Sequence, residues 1–285
     1  MAIFYNRATL SYNGNTTNSN ITSGEIIEAL SVTKSVLADS YAEGEQISYA
    51  VSIINSSSSD IANVSLTDNL GAYTFSETQT LVPLDYVTGS VFVFSNGTLQ
   101  PTPTVTPGDS LTVSGLTAPA NGNLLVIYSA VPNEFAPLDI GSTITNTVTV
   151  DAPAISSPLT ALASLAISDS PALSITKTLT PLSVEENGRI TYTFVIENTS
   201  AVPAEVADNL IITDTFEPIL SDIAVTYNGT AWAETTNYTY SETTGEFATN
   251  AGQITVPAAT MVQNPTTGEI SVTPGTSTVV VSGNI

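Results

Sequence analysis

The sequence predicts an all-β protein of two tandem immunoglobulin-like β-sandwiches, the second lacking its closing strand, plus an N-terminal donor strand. Three observations lead to the sandwich prediction. The chain is rich in Thr and Val, and its short alternating segments are bounded by Gly, Pro and Asn. No long segment has the 3.6-residue periodicity of a helix. The pattern occurs twice in 285 residues, which is enough for two domains of ordinary size.

The repeat consists of motifs that recur in the same order. The pairs are LSVTK and LSITK (30–34, 173–177), EGEQISYAVSIIN and ENGRITYTFVIEN (43–55, 186–198), SLTDNL and IITDTF (65–70, 211–216), VFVFSNGT and IAVTYNGT (91–98, 223–230), and NGNLLVIYSA and PGTSTVVVSG (121–130, 274–283). In both copies a Tyr follows the Lys of the first motif by fifteen residues. The Asn-Gly pairs predict type I′ hairpin turns, and the strand spacing is typical of an immunoglobulin-like sandwich.

The repeats divide the chain into four segments. We expect a donor strand and linker at 1–27, a first sandwich at 28–150, a linker at 151–170 and a second, incomplete sandwich at 171–285.

The closing strand of the first repeat has its counterpart at the opposite end of the chain. The second repeat reaches Ile285, which aligns with Pro132, so residues 133–150 have no counterpart there. NRATL at 6–10 instead matches NTVTV at 146–150. An incomplete sandwich leaves an unpaired edge that can accept a strand from another chain. A head-to-tail contact of this kind that does not close into a ring builds a filament.

We therefore predict that the chain polymerises with itself. The inward-facing donor residues are predicted to be Phe4, Asn6, Ala8 and Leu10, and the acceptor strand is predicted to be Thr278, Val279, Val280 and Val281. The alternative is that the N-terminal strand is frayed or docks on its own chain, and that the second sandwich is simply shorter.

In each repeat a Lys, an Asp and an Asn occupy the same alternate positions as the inward-facing apolar residues of neighbouring strands. The two predicted sets are Lys34, Asp68 and Asn146, and Lys177, Asp214 and Asn6 of the next subunit. Burial lowers the pKa of a Lys and raises that of an Asp. A neutral amine beside a carboxamide that a protonated Asp polarises can form an amide bond and release ammonia. This constellation resembles the autocatalytic isopeptide bonds of Gram-positive pilins. The alternative is a plain Lys–Asp salt bridge, with the Asn bonded to the backbone.

Composition excludes several classes of function. The net charge is −22 with four basic residues, so neither nucleic acid nor an anionic membrane surface is an expected partner. The chain has no Cys and no His, so we expect no enzyme activity, no metal site and no cofactor. We also expect no transmembrane helix. No classical signal peptide is visible, so we expect either a removed leader or export without one.

The motif order LxVTK, YxxxIxN, TDxL and NTVTV resembles a bacterial family, the conserved repeat domain of unknown function that occurs in tandem on surface and exported proteins. The resemblance covers 28–150 and most of 171–285. The chain is also similar to clostridial spore-appendage proteins built from this domain. The resemblance implies an immunoglobulin-like fold and a structural role outside the cell, on the cell or spore surface. Our first hypothesis is a filament subunit, and the second is a non-polymeric adhesion or glycan-binding module.

Overall fold

The computed structural model describes residues 2–26 and 29–285. The predicted all-β class is confirmed: β-strands account for the regular structure, apart from one 3₁₀ turn at Val206–Asp208. Within these residues there is no helix long and apolar enough to cross a membrane.

The N-terminal segment folds into a long hairpin rather than a strand followed by a linker. Its strands are β1 (Ala2–Asn6), β2 (Thr9–Tyr12), β3 (Asn15–Asn18) and β4 (Thr22–Ile26). Strand β1 pairs with β4, and β2 pairs with β3. The chain reverses at Asn13 and Gly14, whose φ angles of 46° and 81° are those of a type I′ turn. We call residues 2–26 the N-terminal hairpin.

The first sandwich is built from the strands that follow. They are β5 (Leu30–Val36), β6 (Ile47–Asn55), β7 (Ile61–Asp68), β8 (Tyr73–Ser76), β9 (Gln79–Leu81), β10 (Leu84–Tyr86), β11 (Phe92–Ser95), β12 (Thr98–Leu99), β13 (Thr104–Thr106), β14 (Leu111–Ala118), β15 (Gly122–Pro132), β16 (Thr143–Asp151) and β17 (Leu159–Ala166). One sheet has the order β12-β11-β15-β6-β5, and the other has the order β13-β14-β7-β16-β17. Alternate residues of both sheets point inward and form one continuous core.

The segment 151–170 differs from the predicted linker, because most of it belongs to the first sandwich. Strand β17 pairs antiparallel with β16 along its whole length. Its inward residues include Ala163 and Leu165, which are buried in the core. The apolar alternation of LTALASLA therefore marks a second closing strand, which lies at the edge of its sheet and packs against β5.

The second sandwich repeats one sheet of the first. Its strands are β18 (Leu173–Thr180), β19 (Arg189–Asn198), β20 (Thr213–Thr215), β21 (Ser221–Tyr227), β22 (Thr230–Trp232), β23 (Tyr238–Tyr240), β24 (Glu246–Thr249), β25 (Thr260–Gln263), β26 (Ile270–Thr273) and β27 (Gly275–Asn284). The order β18-β19-β27-β21-β22 matches β5-β6-β15-β11-β12, strand for strand.

The opposite sheet of the second sandwich is incomplete. It consists of the short strands β20-β24-β23, together with a bridge between Ala204 and Val256 that matches the pairing of Ile61 with Ala118. In the part of the chain that the structure describes, no strand takes the positions that β16 and β17 hold in the first sandwich. This is the missing closing strand that the repeat alignment predicted, and it extends to two strands.

A hairpin of the second sandwich holds the two sandwiches together. Residues Met261, Ile270 and Val272 on β25 and β26 pack against the core of the first sandwich. The Ile270 amide donates a hydrogen bond of 2.7 Å to the Glu134 carbonyl. The second sandwich is therefore anchored to the first through a defined apolar contact.

Candidate functional site

Strand register brings the predicted residues of the first sandwich together. Lys34 lies on β5, Asp68 ends β7, and Asn146 lies on β16. Val148 pairs with Asp68, which places Asn146 one inward position further along the same face. All three residues are buried. Three polar side chains therefore lie inside an apolar core.

The Lys34–Asp68 pair is fully enclosed. Lys34 Nζ donates to Asp68 Oδ2 at 2.5 Å, and neither side chain has any exposed surface. Asp68 Oδ1 accepts a 3.0 Å hydrogen bond from the Leu70 amide. Burial lowers the pKa of the Lys34 ammonium to about 8, although Asp68 acts in the opposite direction. A proton shared within this pair gives Lys34 access to the neutral amine form, which is the nucleophile that amide formation requires.

Asn146 is connected to the same cluster through Tyr128, whose ring centroid lies 5.8 Å from Lys34 Nζ. Its Nδ2 donates to Tyr128 Oη at 3.0 Å. Its Oδ1 is buried and has no hydrogen-bond donor among the residues that the structure describes. A buried, unsatisfied carboxamide oxygen is costly, and such groups concentrate where they have a role. The arrangement leaves the carbonyl free to be polarised by a nearby acid.

Two tyrosines complete the site, and the sequence predictions did not include them. The rings of Tyr49 and Tyr128 stack with centroids 5.5 Å apart, and Lys34 Nζ lies 4.9 Å and 5.8 Å from those centroids. Burial raises the pKa of Tyr49 to about 12 and that of Tyr128 above the usual range. Both phenols therefore stay neutral. The repeated Tyr that follows each Lys by fifteen residues is the signal that could have identified Tyr49.

The second sandwich contains the same pair in an open state. Lys177 Nζ donates to Asp214 Oδ2, and the two side chains are 40% and 18% exposed. Lys177 Nζ lies 4.4 Å from the ring centroid of Tyr192, the counterpart of Tyr49. The structure thus brings Lys177 and Asp214 together. The third predicted member, Asn6, lies in the N-terminal hairpin of the same chain and is exposed.

The exposed pair belongs to a larger open face. Leu30 on β5 is 2% exposed, whereas its counterpart Leu173 on β18 is 40% exposed. Tyr41 is fully buried, whereas its counterpart Val184 is 37% exposed. Strand β20 pairs with β24 along one edge only, as far as the described residues go. We call β18, Val184 and the free edge of β20 the open face.

The predicted acceptor strand was wrong. Residues Thr278, Val279, Val280 and Val281 lie on β27, which pairs with β19 on one side and with β21 on the other. Both of its edges are therefore occupied. In the first sandwich the closing strand β16 pairs with β7, in the sheet opposite β15. The equivalent free edge belongs to β20 at Thr213–Thr215.

The predicted donor residues all lie on the N-terminal hairpin and are exposed. Phe4 is 55% exposed and Leu10 is 62% exposed, and Asn6 and Ala8 lie on the same face of the hairpin as these two residues. The apolar clusters of both sandwiches lie within residues 29–285 and include no residue of the hairpin. Large apolar side chains grouped on an exposed strand mark an interaction surface.

Removing either Asp tests how differently the two pairs are buried. We expect Asp68→Ala to destabilise the first sandwich by about 3–5 kcal/mol, because Lys34 would stay buried without its counter-charge. The matched change Asp214→Ala should cost about 1 kcal/mol or less in the unassembled subunit, because Lys177 is solvated. Differential scanning calorimetry of both variants measures this difference. Equal shifts of the melting temperature would show that the first pair is not buried in solution.

No group of three or more metal-ligating side chains occurs within residues 2–26 and 29–285.

No protein-family model and no curated protein matches the chain. Among solved structures, the chain is similar to a variant of BcpA, the major pilin subunit of Bacillus cereus (9% identity, 94% of this chain and 70% of that chain, TM-score 0.39). It is also similar to a 35 kDa C-terminal fragment of the major pilin of Streptococcus agalactiae (12%, 87% and 91%, 0.37) and to red sea bream transglutaminase (12%, 87% and 31%, 0.29). At these values the likeness assigns no function.

Proposed function

We propose that the protein is a structural subunit of an extracellular filament, on a cell or spore surface, that assembles head to tail by donation of its N-terminal strand. One observation supports this above all others. The face that β16 and β17 cover in the first sandwich is open in the second, and the N-terminal hairpin carries the matching Asn and apolar residues without a core of its own. Another copy of the chain supplies what the open face lacks.

The proposed register follows from the first sandwich. There Val148, Thr149 and Val150 pair with Asp68, Thr67 and Leu66. The corresponding donor residues are Ala8, Thr9 and Leu10, which would pair with Asp214, Thr213 and Ile212 of the acceptor. Asn6 would then take the position, relative to Lys177, that Asn146 has relative to Lys34. Leu10 would enter the core at the position of Val150.

We further propose that a Lys–Asn isopeptide bond closes each site. Lys34 Nζ would attack Cγ of Asn146, and the bond from Cγ to Nδ2 would break. Asp68 would carry the proton between the amine and the leaving group, so that one amide forms and one ammonia leaves. Lys177, Asp214 and Asn6 would do the same across the subunit contact. Low charge density and only four basic residues, which are the sites that trypsin cuts, suit a durable fibre.

Negative-stain electron microscopy of the purified protein tests the assembly. We expect unbranched filaments, because each subunit offers one donor and one acceptor and the contact is heterologous. A sample that is kept below the assembly concentration throughout serves as the control. Monodisperse particles at every concentration would contradict polymerisation and favour the adhesion-module hypothesis.

A further inference from the structure

We propose that the donated unit is the whole N-terminal hairpin, so that each subunit supplies two strands to its neighbour. This inference rests on the proposed function and specifies its contact surface. A single donor strand would replace β16 alone. The open face, however, lacks the counterparts of both β16 and β17. The N-terminal hairpin contributes no residue to either apolar core, and its strands pair only with one another.

Strand β17 is the one that covers β5 in the first sandwich. It packs along β5, whereas β16 touches β5 only marginally. The end of β17 is also tied to the segment that follows β5, because the Tyr41 amide donates to the Ala166 carbonyl at 2.9 Å. A donor equivalent to β16 alone would therefore pair with β20 and leave β18 in water. Leu173 and Ile175, which are 40% and 54% exposed, would gain little cover.

The Asn has a comparable partner in the hairpin and in the β16–β17 pair, although the hairpin register shifts by one residue between β1–β4 and β2–β3. Asn146 stands opposite Ala163, and Asn6 stands opposite Thr22. In both pairs the Asn faces a small residue on the second strand. The choice of Asn6 comes from the sequence alignment, whereas the small residue opposite it comes from strand pairing.

The next inward pair shows how the hairpin would fill the space. In the first sandwich Ile144 stands opposite Leu165, and both are buried. In the hairpin Phe4 stands opposite Gly24, and a Cβ on Gly24 would lie 2.4 Å from Phe4 Cζ. The phenyl ring therefore lies across the position that a second side chain would take. One large side chain and one glycine replace two medium ones, and this works only if both strands enter together.

Two full-length variants test this inference, each with a matched control. Ser19→Pro removes the hydrogen bond from the Ser19 amide to the Ala8 carbonyl, and with it the Ser19 hydroxyl that accepts from the Ala8 amide. It leaves the sequence of β1 and β2 unchanged. Asn20→Pro is its control, since the Asn20 amide donates no hydrogen bond in the described chain. Gly24→Val displaces the Phe4 ring, and Ser23→Val, on the opposite face, is its control.

Sedimented polymer at a fixed protein concentration is the readout. We expect Ser19→Pro and Gly24→Val each to raise the concentration needed for assembly at least about tenfold, and the two controls to leave it unchanged. Assembly of both variants at the wild-type concentration would overturn hairpin donation and leave single-strand donation standing. Failure of the wild-type protein to assemble would instead overturn the proposed function, and this inference with it.

Discussion

Replacing Leu10 with Asp should abolish filament formation, whereas replacing Tyr5 with Asp should leave it intact. The two side chains are similarly exposed in the free hairpin, at 62% and 70%. They lie on opposite faces of it. In the proposed contact Leu10 takes the position of Val150, which is fully buried, and Tyr5 takes that of Thr145, which is exposed. Burying a carboxylate in the core without a partner costs several kcal/mol of binding free energy. We expect this cost to prevent the hairpin from binding.

Electron microscopy and sedimentation of both variants measure this effect. Removing residues 1–27 should have the same result as Leu10→Asp, because the cores of both sandwiches lie outside the deleted segment. A synthetic peptide of residues 1–27 should then bind the truncated protein in a one-to-one ratio. Filaments formed by Leu10→Asp at the wild-type concentration would show that the hairpin does not enter a core.

The sequence was sufficient for the fold class and for the Lys–Asp pairs, and the physical reason is the same in both cases. Alternation with period two decides which side chains point inward, and it holds wherever one face of a strand is buried. It placed Lys34 and Asp68 on buried faces, where the structure has them. The repeat then carried the same assignment to Lys177 and Asp214.

The structure departs from the sequence predictions where pairing between distant strands decides the outcome. The predicted acceptor strand at 278–281 lies on β27, in the centre of its sheet, whereas the closing strand belongs to the opposite sheet. Alternation shows which face of a strand is buried but not which strand lies beside it. Strand β17 falls within the predicted linker for the same reason, since its pairing with β16 and its contact with β5 are tertiary features.

The N-terminal hairpin has a local sequence signal that the predictions above do not use. Asn13-Gly14 is the same dipeptide that predicted type I′ turns at Asn96 and Asn228, and all three Asn residues have positive φ angles between 46° and 48°. The match of residues 6–10 to a closing strand predicts one strand, whereas Asn13-Gly14 indicates a turn into a second. The turn matters for function, because it makes two strands available to a neighbouring subunit instead of one.

Digestion of boiled filaments with trypsin should reveal both proposed isopeptide bonds in one experiment. The chain offers four sites of cleavage, after Arg7, Lys34, Lys177 and Arg189. Trypsin requires a free Lys side chain, so amide formation at both lysines would leave cuts only after Arg7 and Arg189. We expect a fragment of residues 8–189 that carries the 1–7 peptide of a neighbouring subunit through Asn6. Each bond would lower the mass by one ammonia, about 17 Da.

Two Met variants separate the bonds, because each removes one nucleophile and keeps an apolar side chain of similar length. Lys177→Met should still form filaments, since strand pairing is unaffected, but boiling should release monomers, and trypsin should then release a free 1–7 peptide. Lys34→Met should keep the ladder of covalent oligomers and lose only the internal bond. Complete cleavage of wild-type filaments after Lys34 and Lys177 would contradict both bonds and reduce each site to a salt bridge. In that case Lys34 would be buried only because Asp68 neutralises its charge. The open pair Lys177–Asp214 would be covered by strand donation without a covalent bond.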